Sequence, residues 1–392
     1  MKNISVGIDI GTYQVKIVVT ENVSAGGREL PKVIGVGYAE SRGLRHGYIL
    51  NKSDAIRSVR HAKEQAEKAA GISIKKAVAS IGGIGLGSVS TTGTAVTSRA
   101  DSEISEHDIK KAVEISQQEI PSSNSLNRKI LHVIPLSYRI DGKPVYGQPE
   151  GLKGSKLEVK THIITCFEHH FNDLLETLNE AGIEVEDLVA SPIAASLVTL
   201  TKQQKMAGVV LANIGSETVS IVVFENNIPF SLEIFPIGSN NITNDIALGL
   251  RVPLEEAEEI KRGSLIGVTF SKRKLEDIVT ARLSDIFALI EAHLKKIGRN
   301  GLLPAGIVLT GGGSAIENIG DLARTTLRLP SRIATVSFGE NIKGQIKDAS
   351  WSVAYGLCVL GFENGDAEAT SGIQFIKETR KGLINFFRQF LP

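Results

Sequence analysis

Residues 209–226, VVLANIGSETVSIVVFEN, almost repeat residues 6–22, VGIDIGTYQVKIVVTEN. Superposed, Gly11 meets Gly215, and Val15, Ile17, Val18 and Val19 meet Val219, Ile221, Val222 and Val223. Glu21-Asn22 meets Glu225-Asn226. Apolar, largely β-branched runs on both sides of a tight glycine turn read as hairpins. A unit that recurs this far along the chain points to two similar domains facing each other, and 392 residues are enough for both.

One position breaks the repeat: Asp9 meets Asn213. In the first copy a carboxylate ends the strand, and Gly11-Thr12 then offers N–H groups and a hydroxyl to phosphate oxygens. Asp9 could hold Mg²⁺ through water, and Lys16 could reach a phosphate as a point charge. For either copy alone, a plain tight hairpin is the competing reading. A third loop shifts the balance. In IVLTGGGSAIENI, residues 307–319, an apolar strand runs into Gly311-Gly312-Gly313, and Ser314 is expected to open a helix. Three glycines let backbone approach a flat ligand, and a helix start favours negative charge.

The rest of the chain supplies the frame. A helix is expected at about 53–70, closed by Gly71, followed by a short buried strand in 75–83. From about 84 to 162 the texture changes to glycine-rich and proline-containing strands around a helix capped by Ser105, which reads as an inserted α/β subdomain. Net charge is only +1, which gives no reason to expect nucleic acid. Cys166 and Cys358 sit in apolar runs, outside any metal or disulfide pattern, which suggests a reducing compartment. The chain enters a strand pattern directly at its start, with no secretory signal expected, and no apolar run is long enough to span a bilayer.

In this order, IDIGT, NIGSET, LTGGGS and WSVAYG resemble the two phosphate loops, the adenosine loop and the second connecting helix of the actin/Hsp70/sugar-kinase ATPase superfamily. SPIAAS, 191–196, is similar to the first connecting helix. Within the superfamily the chain resembles the bacterial cell-division family FtsA over essentially its full length. The resemblance rests on IGSNNITNDIALGLRVPLEEAEEIKRG, on LHVIPLSYRIDGKPVYGQPEGLKGSKLEVKTHIIT and on the amphipathic C-terminal stretch.

The resemblance implies an α/β, actin-like two-domain ATPase fold of duplicated RNase H-like domains, with an FtsA-type 1C subdomain. Its expected divisions are 1A at 1–83 and 163–200, 1C at 84–162, 2A at 201–235 and 301–362, and 2B at 236–300. A linker at 363–372 and an amphipathic membrane-targeting helix at 373–392 complete the expected plan. It implies ATP and Mg²⁺ in a cleft between the halves. Gly11, Thr12, Gln14 and Lys16 would stand at the first phosphate loop, and Gly215, Ser216, Glu217, Thr218 and Gly238 at the second. Glu258 and Lys261 would serve ribose and adenine, Gly311, Gly312 and Gly313 the adenosine, and Asp9 the metal. Glu258 and Lys261 are spaced to share one helical face, where a surface ion pair is the competing reading.

The second loop departs from the superfamily pattern Asp-x-Gly-Gly-Gly-Thr-x-Asp: here it reads Asn213-Ile214-Gly215-Ser216-Glu217-Thr218-Val219-Ser220. Asparagine can hydrogen-bond but cannot act as a base or carry charge to a metal. Binding is therefore expected with weak or absent hydrolysis. Glu217 brings negative charge toward the phosphates unless it points away or takes the metal itself.

Two further surfaces are expected. In KGLINFFRQFLP, Leu383, Phe386, Phe387, Phe390 and Leu391 fall at helical spacing beside Lys377, Arg380, Lys381 and Arg388. Such a stripe fits a helix lying on anionic lipid, or else one docked on the protein's own core. In the helix KLEDIVTARLSDIFALIEAHLKKIG, Ile278, Leu283, Ile286 and Ile290 can face the core. By resemblance, Arg282 on that helix matches a basic residue that receives the acidic C-terminal peptide of FtsZ, a solvated helix charge being the alternative.

The expected protein is thus a self-assembling adaptor that links FtsZ to the cytoplasmic face of the membrane at the division septum, with 1C meeting other division proteins. An actin-like adaptor of pilus assembly, or an active ATPase or small-molecule kinase of the same fold, are the alternatives.

Overall fold

The computed structural model describes residues 4–22, 30–264, 271–336 and 349–368. Its first half is built on β1 (Ile4–Ile10), β2 (Gln14–Glu21) and β3 (Lys32–Glu40). A two-residue hairpin, β4 (Leu44–Arg45) and β5 (Tyr48–Ile49), leads to α1 (Lys52–Ala70) and β6 (Lys76–Ile81). The Asn51 side chain accepts the Asp54 N–H at the start of α1, and Gly71 closes it at φ 69°, the left-handed cap that glycine adopts without a Cβ penalty.

Between β6 and the next strand of that sheet lies the insertion. It comprises β7 (Leu86–Val96), α2 (Glu106–Gln118), the single turn α3 (Ser122–Ser125), β8 (Arg128–Ile140), β9 (Lys143–Val145) and β10 (Lys156–Phe167). Its strands form an antiparallel sheet in the order β7-β10-β8-β9. Ser105 caps α2 in a reciprocal capping box with Asp108. Pro135 falls at a register shift between β8 and β10, the place for a residue without an N–H.

The chain returns through α4 (Glu168–Glu180), β11 (Glu184–Ala190) and α5 (Ser191–Thr199), then crosses by α6 (Lys202–Ala207). The second half holds β12 (Val209–Ile214), β13 (Val219–Glu225), β14 (Ile228–Phe235), α7 (Ser239–Leu250), α8 (Leu254–Lys261) and α9 (Lys272–Lys296). It ends with β15 (Ile307–Thr310), α10 (Ile319–Leu327) and β16 (Ser331–Ile333), before α11 (Ser352–Glu368).

The two main sheets have one topology. The first runs β3-β2-β1-β6-β11 and the second β14-β13-β12-β15-β16. In each, an antiparallel hairpin supplies the central strand, and a parallel strand flanks its other edge. Both central hairpins are buried almost throughout, as strands covered by helices on both faces should be. Leu283, Ile286 and Ile290 of α9 are buried in the second core, and Ile278 packs partly buried against it, as their spacing predicts.

Two expectations about local structure are corrected. Ser314 does not open the helix after the triple glycine. Gly312–Ala315 is a 3-10 turn, the buried Ser314 hydroxyl donates back to Gly311 O at 2.7 Å, and α10 starts only at Ile319. The stretch expected as linker from 363 is helical as far as Glu368, where α11 ends, although Asn364, Gly365 and Asp366 are poor helix formers. The lipid-stripe residues Leu383, Phe386, Phe387, Phe390 and Leu391 lie outside the described residues.

Candidate functional site

The two hairpin turns face each other across a cleft of about 510 Å³. The first contributes Asp9, Gly11, Thr12, Tyr13, Gln14 and Lys16 to its lining, and the second Asn213, Gly215, Ser216, Thr218 and Ser220. Each turn is closed by the same bond. Gly11 N–H donates to Gln14 O at 3.2 Å, and Gly215 N–H to Thr218 O at 2.9 Å. A Cβ on either glycine would stand 3.0 Å from the carbonyl it bonds. Glu258, Lys261, Gly311, Gly312 and Gly313 complete one wall. Gly311 has φ 85°, and a Cβ there would be 2.6 Å from Ile214 O, so only glycine lets this strand end lie flat on the second loop. A Cβ on Gly312 would meet nothing within 4 Å: that face is open toward the cleft.

Asp9 is the carboxylate of the two hairpin turns that faces the cleft. Ser80 Oγ donates to its Oδ1 at 2.8 Å, and Lys16 is its partner across the hairpin. Burial pushes the Asp9 pKa up, against the opposing pull of Lys16 and the Ser80 hydroxyl. Lys16 also donates to Ser350 O at 2.9 Å and lies 5.7 Å from the Trp351 ring centroid, so it borders the cleft while tied to its far wall. At the matching register in the second hairpin stand Asn213 and Ser220, both neutral.

The charges of the second half are on α8 instead. Lys261 Nζ and Glu258 Oε2 pair at 2.5 Å, and Thr243 of α7 is bonded to both. Burial raises the Glu258 pKa, but hydrogen bonds from Lys261, Thr243 and Arg262 outweigh it and bring the group down to about 2. For Lys261 burial prevails, and its pKa is lowered despite Glu258. The helical ion pair and the cleft-lining pair are therefore one and the same.

Several lining residues were not singled out from the sequence. Arg262 donates from Nε to Glu258 Oε1 and from Nη2 to the Tyr13 phenol oxygen, both at 2.8 Å, which joins the two halves at the cleft mouth. Its place directly after Lys261 in EEIKR was the available signal. Ser239 and Asn240, at the start of α7, donate their N–H groups to Gly215 O and Ser216 O and so brace the second loop.

Two residues implied for the nucleotide do not line the cleft. Gly238 stands behind the second loop, where a Cβ would come 2.6 Å from Glu217 N, so its role is to admit that loop's backbone. Glu217 turns away. Its Oε2 accepts the His46 N–H at 2.5 Å, and its carbonyl is 3.3 Å from His46 Nδ1. Arg282 is also committed elsewhere: Nε and Nη2 form a fork on Asp245 at 2.6 and 3.0 Å, and Nη1 reaches Asp285 at 3.2 Å.

A chain that duplicates one sheet topology around such a cleft, with an antiparallel insertion after β6, can be compared with known proteins. Residues 210–356 match the family described as cell division protein FtsA, and residues 86–165 match the SHS2 domain inserted in FTSA. The cell division protein FtsA of Pseudomonas aeruginosa is 30% identical over 401 residues, covering 96% of this chain and 94% of that protein. The Bacillus subtilis FtsA is 31% identical over 354 residues, covering 85% and 79%. The chain belongs to the FtsA family of cell-division proteins. Among solved structures, a chain of the PilM-PilN type IV pilus biogenesis complex superposes with TM-score 0.69 at 18% identity, covering 92% of this chain and 98% of that one. MreB5 of Spiroplasma citri bound to ADP superposes with TM-score 0.54 at 12% identity, covering 94% and 99%. The FtsA-family chain thus has the actin-like fold with the FtsA-type inserted subdomain. No helix among its described residues is long and apolar enough to cross a membrane.

Proposed function

We propose that this FtsA-family protein binds ATP with Mg²⁺ between its halves and hydrolyses it feebly. The nucleotide then serves mainly as a conformational ligand for self-assembly. The observation that carries this reading is the pairing of two glycine hairpins around one cleft with a single hairpin carboxylate, Asp9, facing it. The donor set fits a metal that arrives with phosphates. Mg²⁺ commonly takes one or two carboxylates and fills its shell with phosphate oxygens and water. Among the described residues no group of three or more His, Cys, Asp or Glu could form a dedicated metal cage. Asp9 would hold the ion, which when bound neutralises phosphate charge.

The chain's own residues account for slow turnover. Asn213 can orient a water through its amide but cannot take its proton, and Ser220 adds no carboxylate. Glu217, engaged with His46, is turned out of the cleft. Titration with labelled ATP and measurement of phosphate release at saturating ATP test both halves of the reading. Tight binding with feeble release supports it, and brisk Asp9-dependent release overturns it.

The same reading makes the protein a tether of FtsZ to the cytoplasmic face of the membrane at the septum, with the inserted subdomain meeting other division proteins. The apolar stripe and basic flanks of 373–392 favour an anionic lipid surface. Deleting 373–392, or changing Phe386 and Phe387 to Glu, is expected to abolish co-sedimentation with anionic vesicles while leaving the fold intact. Arg282 lies on the surface proposed for the FtsZ peptide, where its fork on Asp245 means that a peptide carboxylate would have to share or displace that pair.

A further inference from the structure

The residue equivalent to Glu217 in the duplicated first hairpin is Tyr13, which carries no charge and accepts from Arg262 instead of from a backbone amide. Glu217 is also one of the two places, with Ser216, where the second loop departs from the triple glycine of the superfamily pattern. Its donor is the tight turn between β4 and β5, in which His46 and Gly47 both have left-handed φ, 49° and 86°. The N–H groups of these two residues are spent on groups of the two phosphate loops. His46 N–H goes to the Glu217 carboxylate, and Gly47 N–H to Thr12 Oγ1 at 3.1 Å. Successive N–H groups of a tight turn form a concavity suited to an anion. The turn is firmly seated: His46 O accepts the Ile84 N–H at 3.2 Å, and Gly47 packs directly on Gly83. Gly47, Thr12 and Ser216 border the cleft, and the bonded pair His46 and Glu217 stands directly behind them, each one residue along the chain from a lining residue.

We propose that Glu217 discriminates between nucleotide states: its carboxylate is a built-in anion on the His46 amide, and the terminal phosphate of a nucleoside triphosphate displaces it where a diphosphate does not. The inference rests on the nucleotide reading of the cleft. A further phosphate brings negative charge up to a half-buried carboxylate, and like charges at short range in a protein interior repel strongly. The Glu217 side chain is 22% exposed, so it has a path to water when pushed off the turn. Because the bond ties the second loop to the first half of the molecule, its release removes one tie between the halves and leaves others, such as Arg262–Tyr13, in place. By linkage, whatever opens the latch is bound more tightly once the latch is gone.

The test is the ratio of ATP to ADP affinity in wild type, Glu217→Ala and Glu217→Gln, with amide exchange at His46 measured without nucleotide. Removing the competing anion is expected to shift the ratio toward ATP by about tenfold, the equivalent of ~1.4 kcal/mol. ADP affinity should change little, and the His46 amide should exchange faster in the Ala variant. Glu217→Gln keeps an acceptor without the charge and should give an intermediate ratio. An unchanged ratio, or one shifted toward ADP, overturns the proposal while leaving nucleotide binding intact. If neither nucleotide binds any of the three proteins, the nucleotide reading itself fails and the discrimination with it. The exchange data would then report the Glu217–His46 bond as a structural contact alone.

Discussion

The two central hairpins share backbone and differ in chemistry. Each has the same register, the same closing bond from the turn glycine and the same place in its sheet. Across the first, Asp9 faces Lys16, and across the second, Asn213 faces Ser220. The hairpin-turn backbone therefore survives without the charges, because glycine and β-branched strands set it and the charged positions do not. The second half instead brings its ionic groups to the cleft from Glu258, Lys261 and Arg262, on and beside α8.

Making the first hairpin like the second should have the largest effect. Asp9→Asn is expected to lower Mg²⁺-dependent ATP affinity by about 100-fold, the upper end for loss of a group that orients a bound metal. Calorimetry with and without chelator measures it. The same change should raise Tm at neutral pH. A carboxyl whose pKa is raised by burial gives most stability below its ordinary value of 3.8 and loses it as pH rises through the folded value, so an amide removes that cost. Equal Mg²⁺ dependence in wild type and Asp9→Asn would break the comparison.

The reverse change is smaller. Asn213→Asp should raise phosphate release by about tenfold, short of the 10²–10⁴ of a fully placed acid–base group, because Ser220 still lacks a carboxylate. Unaltered release at saturating ATP would mean that position 213 does not face the reacting water.

The cleft-lining charges on α8 give a pH signature. Glu258 has its pKa lowered to about 2 from 4.5, so its contribution to stability is complete above 4.5 and is lost as pH falls toward 2. Glu258→Gln should flatten the melting temperature across that window, and a wild-type slope there in the variant would assign the effect elsewhere. The smallest change is expected at Arg282. Arg282→Ala should cost less than about 1 kcal/mol in chemical denaturation, as for a partly exposed ion pair. If Arg282 serves the FtsZ peptide, fluorescence anisotropy should still show weakened binding. Arg282→Glu is the poorer probe, since it sets a third carboxylate beside Asp245 and Asp285.

The hairpins, the cap at Gly71, the Ser105 box and the core face of α9 were legible in the sequence, because each depends on residues close together in the chain. The direction of Glu217, the Arg262–Tyr13 clasp and the fork of Arg282 on Asp245 were not. Each joins residues from separate elements, and which polar partner wins is decided only when those elements pack. Ser314 was misread for a related reason. A serine after glycines carries a helix-start signal, but here its hydroxyl is buried and satisfied locally.

The position of α11 has a consequence for biosynthesis. Ala354, Tyr355, Leu357 and Cys358 are buried, and Gly7 of β1 packs directly on the Ala354 backbone. β1 thus waits for a helix more than 300 residues later in the chain before that face of its sheet is covered. The second half, by contrast, is contiguous from β12 to β16 and has its own core. At about 5–20 residues per second, the sheet around β1 stays without that helix for tens of seconds. β1 and α11 therefore meet only after nearly all of the described chain between them has been made.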